Sequence, residues 1–222
     1  APLLPRERFP AGPPQARALL SVLQGILSRL GGPFKEASQR FGALKASGGI
    51  SAEALFRAHM KADDEWFARQ ARAFAGVSGL PRFLAQSAVS PFAHAVTRNI
   101  AHNNGHDPDS IWTYGYCPHC GSQPVMGELR GPEGIRVHVC SFCLLAYRAK
   151  RLQCPFCLEE SPDKLAFFTA DSEPGYQAHV CRSCMRYIKL ADCRQKNSAY
   201  FVPALDDLLS LPERRSGADG TG

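Results

Sequence analysis

Apolar side chains recur at steps of three and four residues through the first hundred positions, which is the period of an amphipathic helix. The clearest run begins near Gln15 and is predicted to stop at the glycine pair Gly31 and Gly32. A weaker run covers 34–44. The apolar positions of the first run are Leu19, Leu20, Leu23, Ile26, Leu27 and Leu30.

Two longer helices are predicted farther along the chain. Ser51 is a good N-cap, and its helix is predicted to continue to about Phe74. Another helix is predicted from about Arg82 to Ala101, with an interruption or kink at Pro91 because proline removes a backbone donor. The first half is therefore predicted to be all-helical, after an extended lead-in with five prolines among its first 14 residues.

The pattern changes in the second half, where short segments alternate with glycine, proline and cysteine pairs. Segments 113–139 and 163–180 are predicted to form short strands and turns. A short amphipathic helix is predicted at 204–211, followed by a polar tail at 214–222 that is expected to be disordered.

These patterns predict an α+β multidomain chain in four parts. They are an all-helical domain with an extended N-terminal lead-in (1–112), a first four-cysteine module (113–152), a second four-cysteine module (153–195), and a short C-terminal helix with a disordered tail (196–222). The two modules are expected to be small and rubredoxin-like or zinc-ribbon-like.

The composition is that of a globular protein, with 45% hydrophobic and 21% charged residues. The most apolar stretch, at 19–30, contains serine, glutamine and arginine and is too short to cross a bilayer, so no membrane insertion is predicted. No secretory signal pattern is seen at the N-terminus, and we expect a reducing cytoplasm. In that compartment, cysteines at paired spacing favour a metal site over disulfides.

All nine cysteines lie between Cys117 and Cys193, and eight of them form four Cys-x-x-Cys pairs. A tight turn between two thiolates directs both sulfurs at one ion, and two such turns complete a tetrahedron. The predicted metal ligands are therefore the paired residues Cys117, Cys120, Cys140, Cys143, Cys154, Cys157, Cys181 and Cys184.

An internal repeat indicates how the pairs combine. The Cys-Pro-x-Cys sequence at 117–120 recurs at 154–157, and the His-Val-Cys-x-x-Cys sequence at 138–143 recurs at 179–184. This tandem order predicts that the first two pairs hold one ion and the last two pairs hold the other. A cross-braced arrangement, in which alternate pairs share an ion, is the alternative.

Four thiolates suit either zinc or a single rubredoxin-like iron, and the ligands alone do not separate the two metals. Each ion would have no open coordination position, which favours a structural role, and no catalytic residue is predicted. We expect His119, His138 and His179 to lie around the sites or at the surface. Cys193 lies outside the four pairs and is predicted to be a partly buried thiol.

The formal net charge of +6 counts every cysteine as neutral. It divides into +5 for 1–112 and +1 for 113–222. Eight thiolates around two divalent ions would bring the second half to about −3, and two ferric ions would bring it to about −1. Since counterion release drives most non-specific binding to nucleic acid, no nucleic-acid partner is predicted.

The cysteine region resembles the formate dehydrogenase accessory protein family, FdhE. The first matching stretch is Cys-Pro-His-Cys-Gly-Ser-Gln-Pro-Val at 117–125, followed by Gly-Ile-Arg at 134–136 and an aromatic residue at Tyr147. The second comprises the two later cysteine pairs, Tyr-Ile-Lys at 187–189 and Leu-Asp-Asp-Leu at 205–208. The resemblance covers roughly 80–211.

The resemblance implies an accessory factor that is required for active formate dehydrogenase and is not itself an enzyme. It implies transient binding to the catalytic subunit and two rubredoxin-like iron ions, with zinc as the alternative metal. The oligomeric state is left open. The other functions that the cysteine pairs allow are a zinc-ribbon nucleic-acid-binding protein and a thiol or electron-transfer redox protein.

Overall fold

The computed structural model describes residues 1–9, 14–74, 76–103, 107, 109–169, 175–194 and 203. The chain forms two compact units. One unit comprises Ala1–Asp107 together with the segments Cys117–Ser122 and Phe142–Leu145. The other comprises Pro108–Tyr116, Gln123–Ser141 and Ala146–Gly222. The fold is thus a mixture of helices and sheet, as the sequence predicts at that level.

Within the described residues the first unit contains α1 (Pro14–Leu30), α2 (Gly32–Ala46), α3 (Ala52–Met60), α4 (Asp64–Ala71) and α5 (Leu80–Asn103). The predicted first helix matches α1, and Gly31, with a positive φ of 79°, separates it from α2, which begins at Gly32. The α1 residues Leu20 and Leu27 are buried, as their helical spacing predicts. Helix α1 packs against both α2 and α5.

The prediction of a single helix from Ser51 to Phe74 is wrong, because the helix is interrupted between α3 and α4. Ser51 does cap α3, accepting a hydrogen bond at 3.1 Å from the backbone N–H of Ala54. Ala62 then has a left-handed backbone with φ of 52°, which stops the helix. The Asp63 carboxylate starts α4 by accepting from the N–H of Trp66 at 2.8 Å.

Helix α5 is longer than predicted and runs through Pro91. Its buried positions include Leu84, Ala85, Ala88 and Val89. Small alanines allow close approach of neighbouring helices, and α5 packs against α1, α3 and α4. No helix among the described residues is long and apolar enough to cross a membrane.

The second unit is built on a six-stranded sheet of order β3-β2-β1-β6-β5-β4. The strands are β1 (Pro124–Arg130), β2 (Ile135–Cys140), β3 (Ala146–Arg148), β4 (Leu165–Thr169), β5 (Tyr176–Cys181) and β6 (Arg186–Cys193). Neighbouring strands are antiparallel except β1 and β6, which pair in parallel from Gly127↔Leu190 to Arg130↔Cys193. The strands of the two predicted modules therefore share one sheet.

Small apolar clusters pack along the parallel pair of strands. One contains Met126, Ala191 and Cys193. The other contains Leu129, Ile188 and Leu190, with Phe156 packed against it. Gly127 is required where β1 passes β2, since a Cβ there would lie 2.8 Å from the carbonyl oxygen of Val137. The helix predicted at 204–211 and the tail predicted at 214–222 lie outside the described residues.

Candidate metal centres

The first group of four cysteines brings together two turns that are 20 residues apart in sequence. Cys117 and Cys120 lie on the turn before β1, Cys140 ends β2, and Cys143 lies on the following turn. The four sulfurs all lie within 4.8 Å of one another, and those of Cys117 and Cys143 are 3.7 Å apart. All four side chains are buried.

The second group repeats this arrangement with Cys154, Cys157, Cys181 and Cys184. The sulfurs of Cys154 and Cys184 are 3.7 Å apart, and those of Cys157 and Cys181 are 3.6 Å apart. The structure thus groups the cysteines in chain order, as the tandem repeat predicts, and not in the cross-braced alternative.

The sulfur spacing fits a tetrahedral ion. A metal–sulfur bond of ~2.3 Å gives a tetrahedron whose edges are ~3.8 Å long, close to the measured sulfur separations. Four soft sulfur donors suit zinc or iron, and none of the described histidines belongs to either group. Each group by itself offers four sulfur atoms, the number that a tetrahedral ion takes.

The turns owe their shape to a repeated backbone pattern. The N–H of Cys117 donates to the carbonyl of Ser122, and the N–H of Gly121 donates to that of Cys117. The equivalent bonds at the third turn run from Cys154 to Glu159 and from Leu158 to Cys154. The residue directly after the second cysteine of every turn has positive φ, and these residues are Gly121, Leu144, Leu158 and Met185. Only at the first turn is this positive φ indicated by the sequence, because Gly121 is a glycine and the other three residues are not.

The N-terminal segment holds the first turn through the backbone. The N–H groups of Leu3, Leu4 and Arg6 donate to the carbonyls of Pro118, His119 and Cys120 at 2.8–3.1 Å. The proline-rich lead-in gave no sign of this pairing, because it is a long-range contact that no periodic pattern encodes.

The turn that carries Cys143 is held mainly through Phe142, which is fully buried. The Arg6 guanidinium lies 4.5 Å from the centre of the Phe142 ring, and Phe9 packs edge-on against the same ring at 5.2 Å. The ring of His94 contacts the carbonyl of Cys143 at 3.1 Å. The first group therefore lies beneath packed side chains.

The second group is more open, since Cys157 is exposed and Cys184 is half-buried. Burial raises the pKa of the Cys154 thiol to about 12. At Cys181 burial also raises the pKa, but hydrogen bonds from the backbone of Cys184 and Ser183 outweigh it and lower the pKa to about 7. The Glu159 carboxylate joins the two turns by accepting from the Ser183 hydroxyl at 2.7 Å.

The three histidines beside the cysteine pairs lie in different surroundings. His119 and His138 are buried, whereas His179 is half-buried. Burial, with the charge of Arg136 as a smaller cause, lowers the pKa of His138 well below its ordinary value, so its ring is neutral. That ring packs edge-on against Tyr147 at 5.8 Å.

Arg136, which belongs to the Gly-Ile-Arg stretch at 134–136, is buried, and nothing in the sequence indicates that burial. Its side chain is only 4% exposed, and its Nη1 donates to the carbonyls of Arg151 and Gln153 at 3.1 and 3.0 Å. Burial lowers its pKa to about 10, and the nearby Cys154 opposes that shift. Arg136 on β2 thus places a positive charge beside the cysteines of the second group.

The different burial of the two groups predicts different rates of metal loss to a chelator. We expect the second ion to leave faster by on the order of tenfold, because an exposed ligand needs less local opening. Metal release from the loaded protein, followed with a coloured chelator, should show two phases. Changing Cys181 and Cys184 to serine should abolish the fast phase, whereas changing Cys140 and Cys143 should abolish the slow one. Loss of the slow phase in the first variant would contradict this assignment.

The chain was compared with known proteins, and no protein-family model matches it. A Protein FdhE homolog from Aquifex aeolicus (strain VF5) is 33% identical over 103 residues, which make up 45% of this chain and 36% of that protein. Protein FdhE from Escherichia coli (strain K12) is 32% identical over 99 residues, 43% of this chain and 31% of that protein. The matches thus cover about a third of the length of these curated relatives.

A solved structure matches over more of the chain. The crystal structure of the FdhE protein from Pseudomonas aeruginosa superposes with a TM-score of 0.50 and 21% identity, covering 90% of this chain and 73% of that one. At this identity the likeness shows a shared fold. Together with the curated relatives, it confirms the resemblance to the FdhE family.

Proposed function

We propose that this protein is an accessory factor for the maturation of formate dehydrogenase and that it binds the catalytic subunit of that enzyme transiently. The observation that carries the proposal is the pair of complete four-cysteine groups in a fold shared with an FdhE protein. Four cysteine ligands would leave each metal ion no open coordination position for a substrate. This favours a binding role over catalysis. The protein acts without being part of the finished enzyme.

The proposed ligands of the metal ions are the eight cysteines of the two groups. Bound metal would supply rigidity, because a structural tetrathiolate ion contributes ~10 kcal/mol or more to a small domain. The chain's own residues then hold the turns in place, through Phe142 at the first group and Glu159 at the second. We propose iron as the metal on the strength of the family resemblance, with zinc as the alternative.

A maturation factor must release its client, so the complex should be of moderate affinity. We expect a Kd on the order of micromolar and a modest buried surface. An absorption spectrum with metal analysis of protein from the native host decides the metal, since thiolate–iron centres absorb visible light and thiolate–zinc centres do not.

The test is complementation of a deletion strain of the native host. Loss of this protein should abolish formate oxidation, and the wild-type chain should restore both activity and co-purification with the catalytic subunit. The variant with Cys181 and Cys184 changed to serine should restore neither, because its second group cannot hold an ion.

Cys193→Ser is the matched control, since Cys193 is a buried cysteine outside both groups. It should complement fully and retain two ions. Full formate oxidation in the deletion strain would refute the accessory role. Full activity of the double serine variant, with its second ion shown to be lost, would refute only the role of that site.

A further inference from the structure

Strand β4 is an edge of the sheet that no described strand covers on its outer side. The opposite edge, β3, is flanked by a bridge between Trp112 and Ala149. Strand β4 has the sequence Leu-Ala-Phe-Phe-Thr and contains no charge, and Phe167 and Phe168 are 66% and 59% exposed. An apolar open edge invites pairing with another chain, and proteins usually protect such edges with charges or prolines.

The hydrogen-bond pattern shows which backbone groups face outward. The N–H of Arg182 donates to the carbonyl of Lys164 at 2.8 Å, so this pair is a hydrogen-bonded pair of the β4–β5 ladder. Such pairs alternate in an antiparallel ladder, and the register is Ala166↔Val180 and Phe168↔Ala178. The backbone groups of Leu165, Phe167 and Thr169 therefore point away from β5, where a further strand would find them.

A cavity opens beside the same edge. Its volume is about 70 Å³, and its apolar lining includes Leu152, Leu165, Phe167 and Ile188. Phe167 packs against His179 with ring centres 5.9 Å apart, which places that side chain at the mouth. The cavity is therefore bordered by Leu165 and Phe167, two of the residues whose backbone groups face outward.

The charged side chains around this cavity are arginines, together with Cys154 and Cys181 of the second group, which would be thiolates when metal is bound. Arg136, Arg151 and Arg186 line it, and no aspartate or glutamate does. Arg186 is held over the ring of Phe156 at 3.7 Å and donates to the side-chain oxygen of Gln123 at 2.7 Å. Both Arg151 and Arg186 are exposed at the rim.

Arg136 is the most buried of the three arginines, and Cys154 of the second group is an acidic group that acts on its charge. Its Nε is buried without a hydrogen-bond partner, although buried polar groups are ordinarily paired. The two protein groups that Nη1 reaches are backbone carbonyls, and no ion pair joins Arg136 to a described carboxylate. A carboxylate brought from outside would therefore meet the exposed guanidinium groups of Arg151 and Arg186 first.

From these observations we propose that the edge of β4 and the adjoining arginine-lined cavity bind an extended acidic segment of a partner protein. The segment pairs with Leu165, Phe167 and Thr169 as a seventh strand. One apolar side chain enters the cavity beside Phe167, and carboxylates two residues away on the same face meet the arginines. This inference does not depend on which protein is the partner. It can therefore be tested independently of the proposed function.

The test is a titration of the metal-loaded full chain with a labelled peptide, Thr-Glu-Thr-Leu-Thr-Glu-Thr, blocked at both ends and followed by fluorescence anisotropy. Its two glutamates and its leucine share one face of a strand. We expect the same peptide with lysine in place of glutamate to bind at least ~tenfold more weakly, because three arginines face it. Affinity for the glutamate peptide should also fall with added salt.

Two substitutions at Phe167 distinguish the contribution of the backbone N–H to peptide binding from that of the side chain. Phe167→Pro removes an outward N–H without touching the bonds to β5, and it should weaken peptide binding at least ~tenfold beyond Phe167→Ala, which keeps that N–H. Arg151→Glu is an independent variant at an exposed site, and it should reverse the preference toward the lysine peptide. Metal content and hydrogen exchange of β5 check that each variant is folded.

Each alternative occupant gives its own result. Equal binding of the two peptides, or full binding by Phe167→Pro, would overturn the proposal. Displacement of the acidic peptide by a deoxythymidine oligonucleotide would assign the surface to single-stranded nucleic acid instead. Self-association that Phe167→Pro abolishes, measured by light scattering, would assign the edge to a second copy of the chain.

Discussion

Changing Cys140 and Cys143 to serine should remove one of two bound ions and lower the free energy of unfolding by several kcal/mol. Both thiols are buried members of the first group. A structural tetrathiolate ion supplies ~10 kcal/mol or more of apparent binding free energy, and two hydroxyls do not replace two thiolates. The measurements are metal analysis and urea unfolding of the purified variant.

Hydrogen exchange should show where the structure is lost. Cys140 ends β2, which pairs with β1, so amide protection should fall in both strands. Because β1 also pairs with β6, part of that loss should spread to β6. Protection in β4 and β5 should survive, since the second group keeps its own four cysteines.

Cys193→Ser provides the control for replacing a buried cysteine. It should retain both ions and lose at most ~1–2 kcal/mol, the ordinary cost of placing a hydroxyl in an apolar cluster. Loss of both ions from the double variant would contradict the sequential grouping of ligands. Retention of both ions would show that Cys140 and Cys143 bind none.

The grouping of the cysteines is predictable because its determinants are local. A Cys-x-x-Cys turn is complete within a few residues, and the repeat of whole sequence units identifies which turns combine. The helices were predictable where local signals are strong, as in the apolar spacing of α1 and the N-cap at Ser51. The break before α4 was missed, although Asp63 inside the predicted helix is a residue type that favours a second N-cap.

The long-range features were not predictable for a physical reason. The parallel pairing of β1 with β6 joins residues about sixty positions apart, and no periodic pattern specifies which strands become neighbours. The burial of Arg136 follows from that sheet, since an arginine in a sequence ordinarily predicts an exposed side chain. The open edge at β4 likewise depends on strand order, which only the assembled sheet defines.

Changing Gly115 to alanine should be among the most damaging single substitutions in the chain. A Cβ at Gly115 would lie 1.7 Å from the carbonyl oxygen of Pro155 and 2.5 Å from its carbonyl carbon. Neither backbone atom can turn aside as a side chain would, so the main chain must move. We expect a loss of ~3 kcal/mol or more in the free energy of unfolding, measured by urea denaturation.

The same substitution should weaken the second ion selectively. Pro155 follows Cys154 directly, and the N–H of Cys154 is bonded to the carbonyl of Glu159 at 2.8 Å, so a displaced Pro155 moves the turn that carries two ligands. Chelator competition should show faster loss of the second ion.

Gly25→Ala is the matched control, because nothing lies within 4 Å of a Cβ there. Alanine inside α1 should raise the free energy of unfolding by ~0.5–1 kcal/mol. A Gly115→Ala variant as stable as the wild type, with its second ion held as tightly, would show that the close approach to Pro155 is not required.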